Sequence, residues 1–389
     1  MARGFKDVLK NGGFHAFLWT QFLGAFNDQL YQMLVLQAAV DSNSSAGVVQ
    51  IVYLLPFLLF SGWSGHLADI VSKRQVLIGV KAFEIVAMGL GAFAIISGHM
   101  QMMLVVLFMM GLHSTVFSPA KYGIVPEMLS DRDLSRGNAW LEMTTLMGIV
   151  LGGATGVFVY SAWKGEGGKM ALVPLAIAVV GFLTSLRITK VRPSGASQPF
   201  RLNPFAEVVE GTRHLMENRP LWLSVMGVAY FWSLGALLKP DLLLFGNEVL
   251  KVSELRAGLM LPFLSIGIGV GNMLAGRLSG DKVELGLVPL GSIFMGLFAI
   301  AMFAARGSYG VSVAALIFLG TTSGLFIVPL YAYMQQRSGS QEKGRIVATN
   351  NFYQTLGMLF ASVLLWGLHD RLGVGADTLL LGAGIATLI

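Results

Sequence analysis

The sequence predicts an all-α integral membrane protein of twelve transmembrane helices, arranged as six plus six, with the last helix cut short. Three observations carry this expectation. Hydrophobic residues make up 54% of the 389-residue chain and charged residues only 12%, whereas soluble chains average about 25% charged. The mean hydropathy is +0.68. Finally, Leu23-Gly24-Ala25-Phe26-Asn27-Asp28 returns, displaced by 211 residues, as Leu234-Gly235-Ala236-Leu237-Leu238-Lys239.

Apolar stretches long enough to cross a bilayer, about 20 residues each, run approximately over 14–40, 46–68, 76–98, 102–118, 138–162, 170–187, 221–244, 256–278, 285–305, 310–333 and 346–368. A twelfth begins near Leu379 and has reached only half that length at Ile389. Between the sixth and seventh stretches lies the longest polar segment, Ile188 to Arg219. It holds Pro193, Ser194, Gly195 and Ser197, then Asn203–Asn218, which is expected to form a helix at the membrane surface. The expected domains are residues 1–190, a first six-helix bundle; 191–219, a cytoplasmic linker; and 220–389, a second bundle incomplete at its C-terminus.

Met1–Gly13 is short and basic and leads into a full-length span, so it does not read as a cleavable leader. Of the 27 Lys and Arg, nineteen fall in the segments that share a side with the N-terminus and six in the opposite loops; Lys81 and Lys239 lie inside spans. That asymmetry predicts a cytoplasmic N-terminus. With no cysteine in the chain, disulfides and thiolate metal sites are excluded. The pI of about 9.5 does not indicate nucleic acid, because the basic residues are spread between spans rather than gathered in one patch.

Ionisable residues inside spans are expensive and point to function by default. Lys81 and Glu84, three apart, are placed to pair on one helix face, and Lys81 is near enough to a helix end to snorkel. Glu142, one turn after Arg136 and Asn138, reads as a helix-end contact. Asp28 lies mid-span among Gln21, Asn27, Gln29 and Gln32, with no basic residue within a turn, so no local partner explains it. Lys239 has Asp241 nearby as a possible partner, yet its match to Asp28 in the repeat favours a central-cavity role. Asp28 and Lys239 are therefore the leading substrate-binding candidates, joined by Asn27, Gln29 and Gln21.

Gly65-His66-Leu67-Ala68-Asp69-Ile70-Val71-Ser72-Lys73-Arg74 closes the second stretch. Gly276-Arg277-Leu278-Ser279-Gly280-Asp281-Lys282 stands at the equivalent place in the second half. Small residues let helix ends approach closely, while acid and base latch them in one conformation. Asp69, Lys73, Arg74, Lys121, Glu127 and Asp281 are the gating candidates. Gly148, Gly152 and Gly156 line one helix face with small residues; plain helix packing is the simpler reading and a sliding surface between bundles the secondary one.

Six spans, a cytoplasmic loop and six more resemble the major facilitator superfamily, whose halves are parallel repeats about the membrane normal. A narrower resemblance rests on QFLGAFNDQ (Gln21–Gln29), SPAKYGIVPE (Ser118–Glu127), LFIVPLYAYMQQR (Leu325–Arg337) and GRIVATNN (Gly344–Asn351). These are similar to the bacterial lysophospholipid transporter family. The resemblance implies alternating-access movement of lysophosphatidylethanolamine and lysophosphatidylglycerol from the outer to the inner leaflet of the bacterial cytoplasmic membrane. It implies reacylation there by an acyltransferase and acyl-carrier-protein synthetase system, fused or separate. The family's acid in the first span maps onto Asp28 and its base in the seventh onto Lys239, where an Arg is common. The expected partners are lysophospholipid and membrane lipids, with no nucleic acid and no cofactor, and the protein is expected to act as a monomer.

No enzyme signature is found. None of the six histidines begins an HxxxxD pattern, Gly165-Glu166-Gly167-Gly168-Lys169 is followed by Met170 rather than Ser or Thr, and no cluster has metal-ligand spacing. An alternative function is a proton-coupled exporter of drugs or small solutes, with Asp28 or Glu84 carrying the proton.

Overall fold

The structure is a computed structural model and describes residues 9, 11–42, 44–129, 134–191, 206–279, 283–337 and 343–389. Among them there is no strand, and the helices follow the apolar stretches closely. The first six are α1 (Gly12–Asp41), α2 (Ala46–Ile70), α3 (Lys73–Ser97), α4 (Met100–Met128), α5 (Leu134–Trp163) and α6 (Gly167–Ser185). The short α7 (Ala206–Glu217) falls where a surface helix is expected. It is followed by α8 (Arg219–Leu244), α9 (Glu254–Ser279), α10 (Leu287–Ala304), α11 (Tyr309–Arg337), α12 (Lys343–Leu365) and α13 (Ala376–Leu388). Two helices relax at their ends into π winding, α8 over Phe245–Val249 and α12 over Trp366–Arg371.

Eight of the described helices are long and apolar enough to cross a membrane. Neither α1 nor α12 is among them. Both are long, but α1 carries Gln21, Asn27, Asp28, Gln29, Gln32 and Gln37, and α12 carries Asn350, Asn351 and Gln354. The polar residues that make these helices interesting also depress their apolarity. Elsewhere the helices turn large apolar side chains outward, such as Phe93 and Ile96 on α3, Leu172 and Leu183 on α6, and Val270 and Met273 on α9. A bilayer solvates apolar side chains turned outward in this way.

The chain divides into two compact units. The first comprises Met1–Ala38 and Leu55–Pro204, the second Ala39–Leu54 and Phe205–Ile389. In the first, Phe14 and Phe17 of α1, Val76 and Leu77 of α3, Phe117, Ala120 and Ile124 of α4 and Leu141 of α5 form a buried apolar cluster. In the second, Val225 and Val228 of α8 pack with Phe326, Ile327 and Leu330 of α11, Ile346 of α12 and Leu215 of α7.

Glycines set how closely helices approach within each unit. A Cβ built on Gly148, Gly152 or Gly156 of α5 would stand 2.9, 2.2 or 2.8 Å from the carbonyl oxygens of Phe22, Phe26 and Leu30. The four-residue spacing on α5 therefore meets the same spacing on α1, backbone against backbone. In the second unit, Gly267 and Gly271 of α9 face Ile317 and Thr321 of α11, while Gly320 and Gly324 of α11 press back on α9. Helix packing accounts for the α5 glycines.

Gly152→Val is expected to lower stability by about 1–3 kcal/mol, the usual range for overpacking, read as a lower thermal midpoint in detergent. Gly153→Ala, at a neighbour where nothing lies within 4 Å of an added Cβ, is expected to leave the midpoint unchanged or slightly raised. Equal effects of the two substitutions would refute the close-packing account.

Candidate functional site

The intramembrane charges of the first unit form one connected network rather than separate features. Lys81 Nζ and Glu84 Oε2 pair one turn apart on α3, and neither side chain has any exposure. Lys81 thus does not snorkel, contrary to the expectation its position allows. Its ammonium fits between two helices that lack side chains at the contact: a Cβ on Gly24 of α1 or Gly181 of α6 would lie 3.1 Å from Nζ. Gly24 belongs to the repeated segment, which gives that glycine a reason.

Glu84 gathers the other members. Asn27 Nδ2 donates to Glu84 Oε1 at 2.6 Å. His113 Nε2 of α4 stands 3.1 Å from Glu84 Oε2, at ion-pair distance but outside hydrogen-bond alignment. On its other edge, His113 Nδ1 is 3.8 Å from Asp28 Oδ1 and 3.5 Å from Ser114 Oγ. Ser114 Oγ donates to Asp28 Oδ2. The imidazole stacks on Phe117, one turn along α4, with ring centroids 5.9 Å apart and 16° between planes.

Asp28 therefore has partners, and its apparent isolation in the sequence is corrected: they come from α4, and through His113 from α3. Two buried oxygens are left over. Asp28 Oδ1 and Asn27 Oδ1, on adjacent residues of α1, have no hydrogen-bond partner. Buried acceptors are normally satisfied, so this pair is short of donors. Asp28 is 7% exposed and Asn27 is fully buried.

The remaining candidates are placed as follows. Gln21 spends its amide on α5: Nε2 donates to Leu141 O at 3.3 Å and to Thr144 Oγ1, and Oε1 accepts from Thr145 Oγ1 at 2.9 Å. Gln29 is half-buried on α1. Lys239, half-buried on α8 of the second unit, precedes Pro240, which lies inside the helix. Pro240 has no N–H to offer the Ala236 carbonyl one turn back. Asp241 is fully buried and neither of its oxygens has a hydrogen-bond partner, so the local Lys239–Asp241 bond that the spacing allows is not made. Also in this unit, Tyr331 OH of α11 accepts from Trp232 Nε1 at 2.9 Å and from Gln354 Nε2 at 3.5 Å.

Among the gating candidates, Lys73 Nζ bonds Glu127 Oε1 at 2.5 Å, joining the start of α3 to the end of α4. Its stem crosses α4 at Gly123, where a Cβ would stand 2.6 Å from Lys73 Cε. That contact explains the glycine of SPAKYG. Arg74 Nε and Nη2 donate to the Ile188 and Leu186 carbonyls at 2.7 and 2.8 Å. Lys121 Nζ lies 4.5 Å from the centroid of the Tyr122 ring. The side chains of Asp69, Arg136, Asn138 and Glu142, and the whole of Asp281, lie outside the described residues.

Sequence reasoning missed His113 and Ser114 as members of the site. The available signal was the polar run His113-Ser114-Thr115, which interrupts an otherwise apolar stretch from Met102 to Phe117.

Comparison with known proteins places this geometry in context. The family model described as Major Facilitator Superfamily matches residues 17–362. A protein of Photorhabdus laumondii named Lysophospholipid transporter LplT is 31% identical over 387 residues, covering 97% of this chain and 93% of the relative. Proteins of the same name from Klebsiella pneumoniae and Escherichia coli are each 28% identical, with the same coverage. Among solved structures, a point mutant of the nucleoside transporter NupG superposes with a TM-score of 0.69 at 13% identity, covering 96% of this chain and 98% of that one. A bacterial homologue of the human lysosomal transporter Spinster gives 0.68 at 15% identity, covering 100% and 93%. At these identities the two structures attest the fold alone.

Lys81→Met is expected to destabilise the protein by about 3–5 kcal/mol, the usual effect of removing one partner of a buried ion pair. The double variant Lys81→Met/Glu84→Gln is expected to recover at least half of the lost thermal stability. A double variant no more stable than the single one would show that the charges do not act as a unit.

Proposed function

The chain belongs to the major facilitator superfamily, and from that premise we propose that this multi-pass membrane transporter carries lysophospholipids from the outer to the inner leaflet of the bacterial cytoplasmic membrane by alternating access, its N-terminus on the cytoplasmic side. The relatives' name supports the substrate class. The single observation that carries the site assignment is the pair of unpartnered buried oxygens, Asp28 Oδ1 and Asn27 Oδ1.

Two acids, one lysine and one histidine make up the network. With the imidazole neutral, one negative charge is unmatched, and it is centred where the free acceptors lie. The ammonium of a lysophosphatidylethanolamine headgroup supplies both the missing charge and the missing donors. The glycerol hydroxyls of lysophosphatidylglycerol supply donors alone. Charge-assisted hydrogen bonds are about twice as strong as neutral ones, so the zwitterionic lipid gains more from Asp28. Lys239, which the repeat sets at the corresponding position of the second half, is assigned to the phosphate common to both headgroups. Gln29 is assigned a polar contact beside Asp28, and Gln21 the task of holding α1 against α5. Lys73, Arg74, Lys121 and Glu127, with Asp69 and Asp281, are assigned to a cytoplasmic gate whose ion pairs bias one conformation. Reacylation of the delivered lipid falls to an acyltransferase system, carried on the same or another chain.

The test is transport of labelled lysolipids into the inner leaflet of reconstituted liposomes. Asp28→Asn is expected to reduce lysophosphatidylethanolamine transport at least about tenfold and lysophosphatidylglycerol transport less. Lys239→Ala is expected to reduce both, and Lys239→Arg to preserve both, since the guanidinium adds a bidentate fork. If the exchanged pair Asp28→Lys/Lys239→Asp restores full transport with unchanged headgroup preference, the two residues are a structural bridge and the binding assignment is wrong. Efflux of a soluble dye driven by a pH gradient, with no lysolipid movement, would favour a proton-coupled exporter instead.

A further inference from the structure

The second unit holds a polar cleft of about 460 Å³ that the transport site does not use. The end of α1, the start of α2 and the π-wound ends of α8 and α12 enclose it. π winding is rare and concentrates at functional sites. Here it occurs on both helices that supply the charged lining, bringing Glu248 from α8 and His369, Asp370 and Arg371 from α12 to one place.

The start of α2 is fixed against this lining. A Cβ on Gly47 would stand 2.8–2.9 Å from Trp366, so the first turn of α2 lies directly on the π turn of α12. Ser45 caps α2: its Oγ accepts from the Val48 N–H at 3.1 Å and donates to Asp370. The positive end of a 25-residue helix thus faces the cleft beside a carboxylate.

The charged groups of the lining are incompletely used. The Arg371 guanidinium lies over the Trp366 ring, 4.9 Å from its centroid. Stacking occupies its face and leaves its N–H edge, and no carboxylate among the described residues forms an ion pair with it. His369 Nδ1 is 2.9 Å from the Val374 carbonyl, which makes Nδ1 the donor and leaves Nε2 3.6 Å from Glu248 Oε1. Glu248 keeps 48% of its side chain exposed.

We propose that this cleft is a second headgroup site, taking a phosphodiester that carries an ammonium arm. The Arg371 edge receives the phosphate; Glu248 and Asp370 receive the ammonium. A lysolipid, a diacyl lipid and soluble glycerophosphoethanolamine all present this chemistry. The site rests on the lysolipid reading only for the identity of its ligand, not for its residues, none of which belongs to the Asp28 network.

The experiment is calorimetric titration of the full chain in maltoside detergent. The probes are monomeric lysophosphatidylethanolamine, lysophosphatidylglycerol, glycerophosphoethanolamine and inorganic phosphate. Asp28→Asn is expected to retain a component of lysophosphatidylethanolamine binding. Adding Arg371→Gln to that variant weakens this component about tenfold, the loss of one charge-assisted contact, and Arg371→Lys weakens it less. Adding Glu248→Gln weakens the zwitterionic lysolipid about tenfold and leaves lysophosphatidylglycerol unchanged. The half-exposed Glu248 tolerates this change, so it tests the site even if Arg371→Gln misfolds. Glycerophosphoethanolamine is expected to compete, since recognition is by the headgroup; failure to compete overturns the proposal. So does inorganic phosphate binding as tightly as the lysolipid, or binding that ignores both Arg371→Gln and Glu248→Gln. If Asp28→Asn alone removes all binding, the cleft proposal fails and the Asp28 assignment stands. If Asp28→Asn changes nothing while Arg371→Gln and Glu248→Gln remove binding, the Asp28 assignment fails and the cleft stands.

Discussion

A charge held among membrane-spanning helices has neither water nor lipid to solvate it, and the first unit is organised around that constraint. Lys81 and Glu84 neutralise one another with no exposure at all. Glu84 then serves three neighbours, the lysine on its own helix, Asn27 of α1 and His113 of α4. Each contact fixes a distance between two helices. Together they tie α1, α3 and α4 into one frame, with Gly181 of α6 giving the ammonium its room. Removing Lys81 or Glu84 alone leaves the other charge buried and unmatched, which in a medium of low dielectric is costlier than the bond itself. The network is therefore rigid for electrostatic reasons. Asp28 hangs from that frame through Ser114, with one oxygen unused.

The glycine contacts are what allow the frame to exist. Asn27 reaches Glu84, and Asp28 reaches Ser114, only if α1 keeps its rotation about its own axis. That rotation is set on the opposite side, where Gly148, Gly152 and Gly156 let α5 close onto the α1 backbone. Gln21 adds a polar lock on the same interface through Thr144 and Thr145. One face of α1 is thus dry and tightly packed while another carries the acid. This arrangement explains why α1 has many polar residues yet lies deep in its unit.

How much of this could be read beforehand depended on sequence distance. Helices leave a local record, so the spans and the linker helix α7 fall close to where the apolar runs and the polar segment put them. The exception is α4. Its apolar run gives out near Ser118, yet the helix continues to Met128 through Pro119, Lys121, Pro126 and Glu127. Prolines and charges usually announce a helix end. Here Glu127 is paired by Lys73, whose stem passes over Gly123, a tertiary contact that compensates for a locally unfavourable sequence. The Lys81–Glu84 pair was legible because its members are three residues apart. Asn27 to Glu84 spans 57 residues and Asp28 to Ser114 spans 86, and nothing local records either bond. His113 was visible only as a polar break in an apolar run.

The two halves of the repeat share a position and differ in its surroundings. Asp28 is held by side chains from a neighbouring helix, in a network that fixes the direction of its carboxylate. Lys239 is followed by Pro240, and the only freed group this creates is a backbone carbonyl one turn back. A lysine is also a point charge without a preferred bonding plane. An acid held in a fixed direction discriminates between donors by geometry, whereas an ammonium, having no bonding plane, responds to charge more than to direction. Under the proposed assignment, the first half of the protein distinguishes headgroups and the second recognises the feature they share. The substitution of base for acid in the repeat then divides selectivity from affinity.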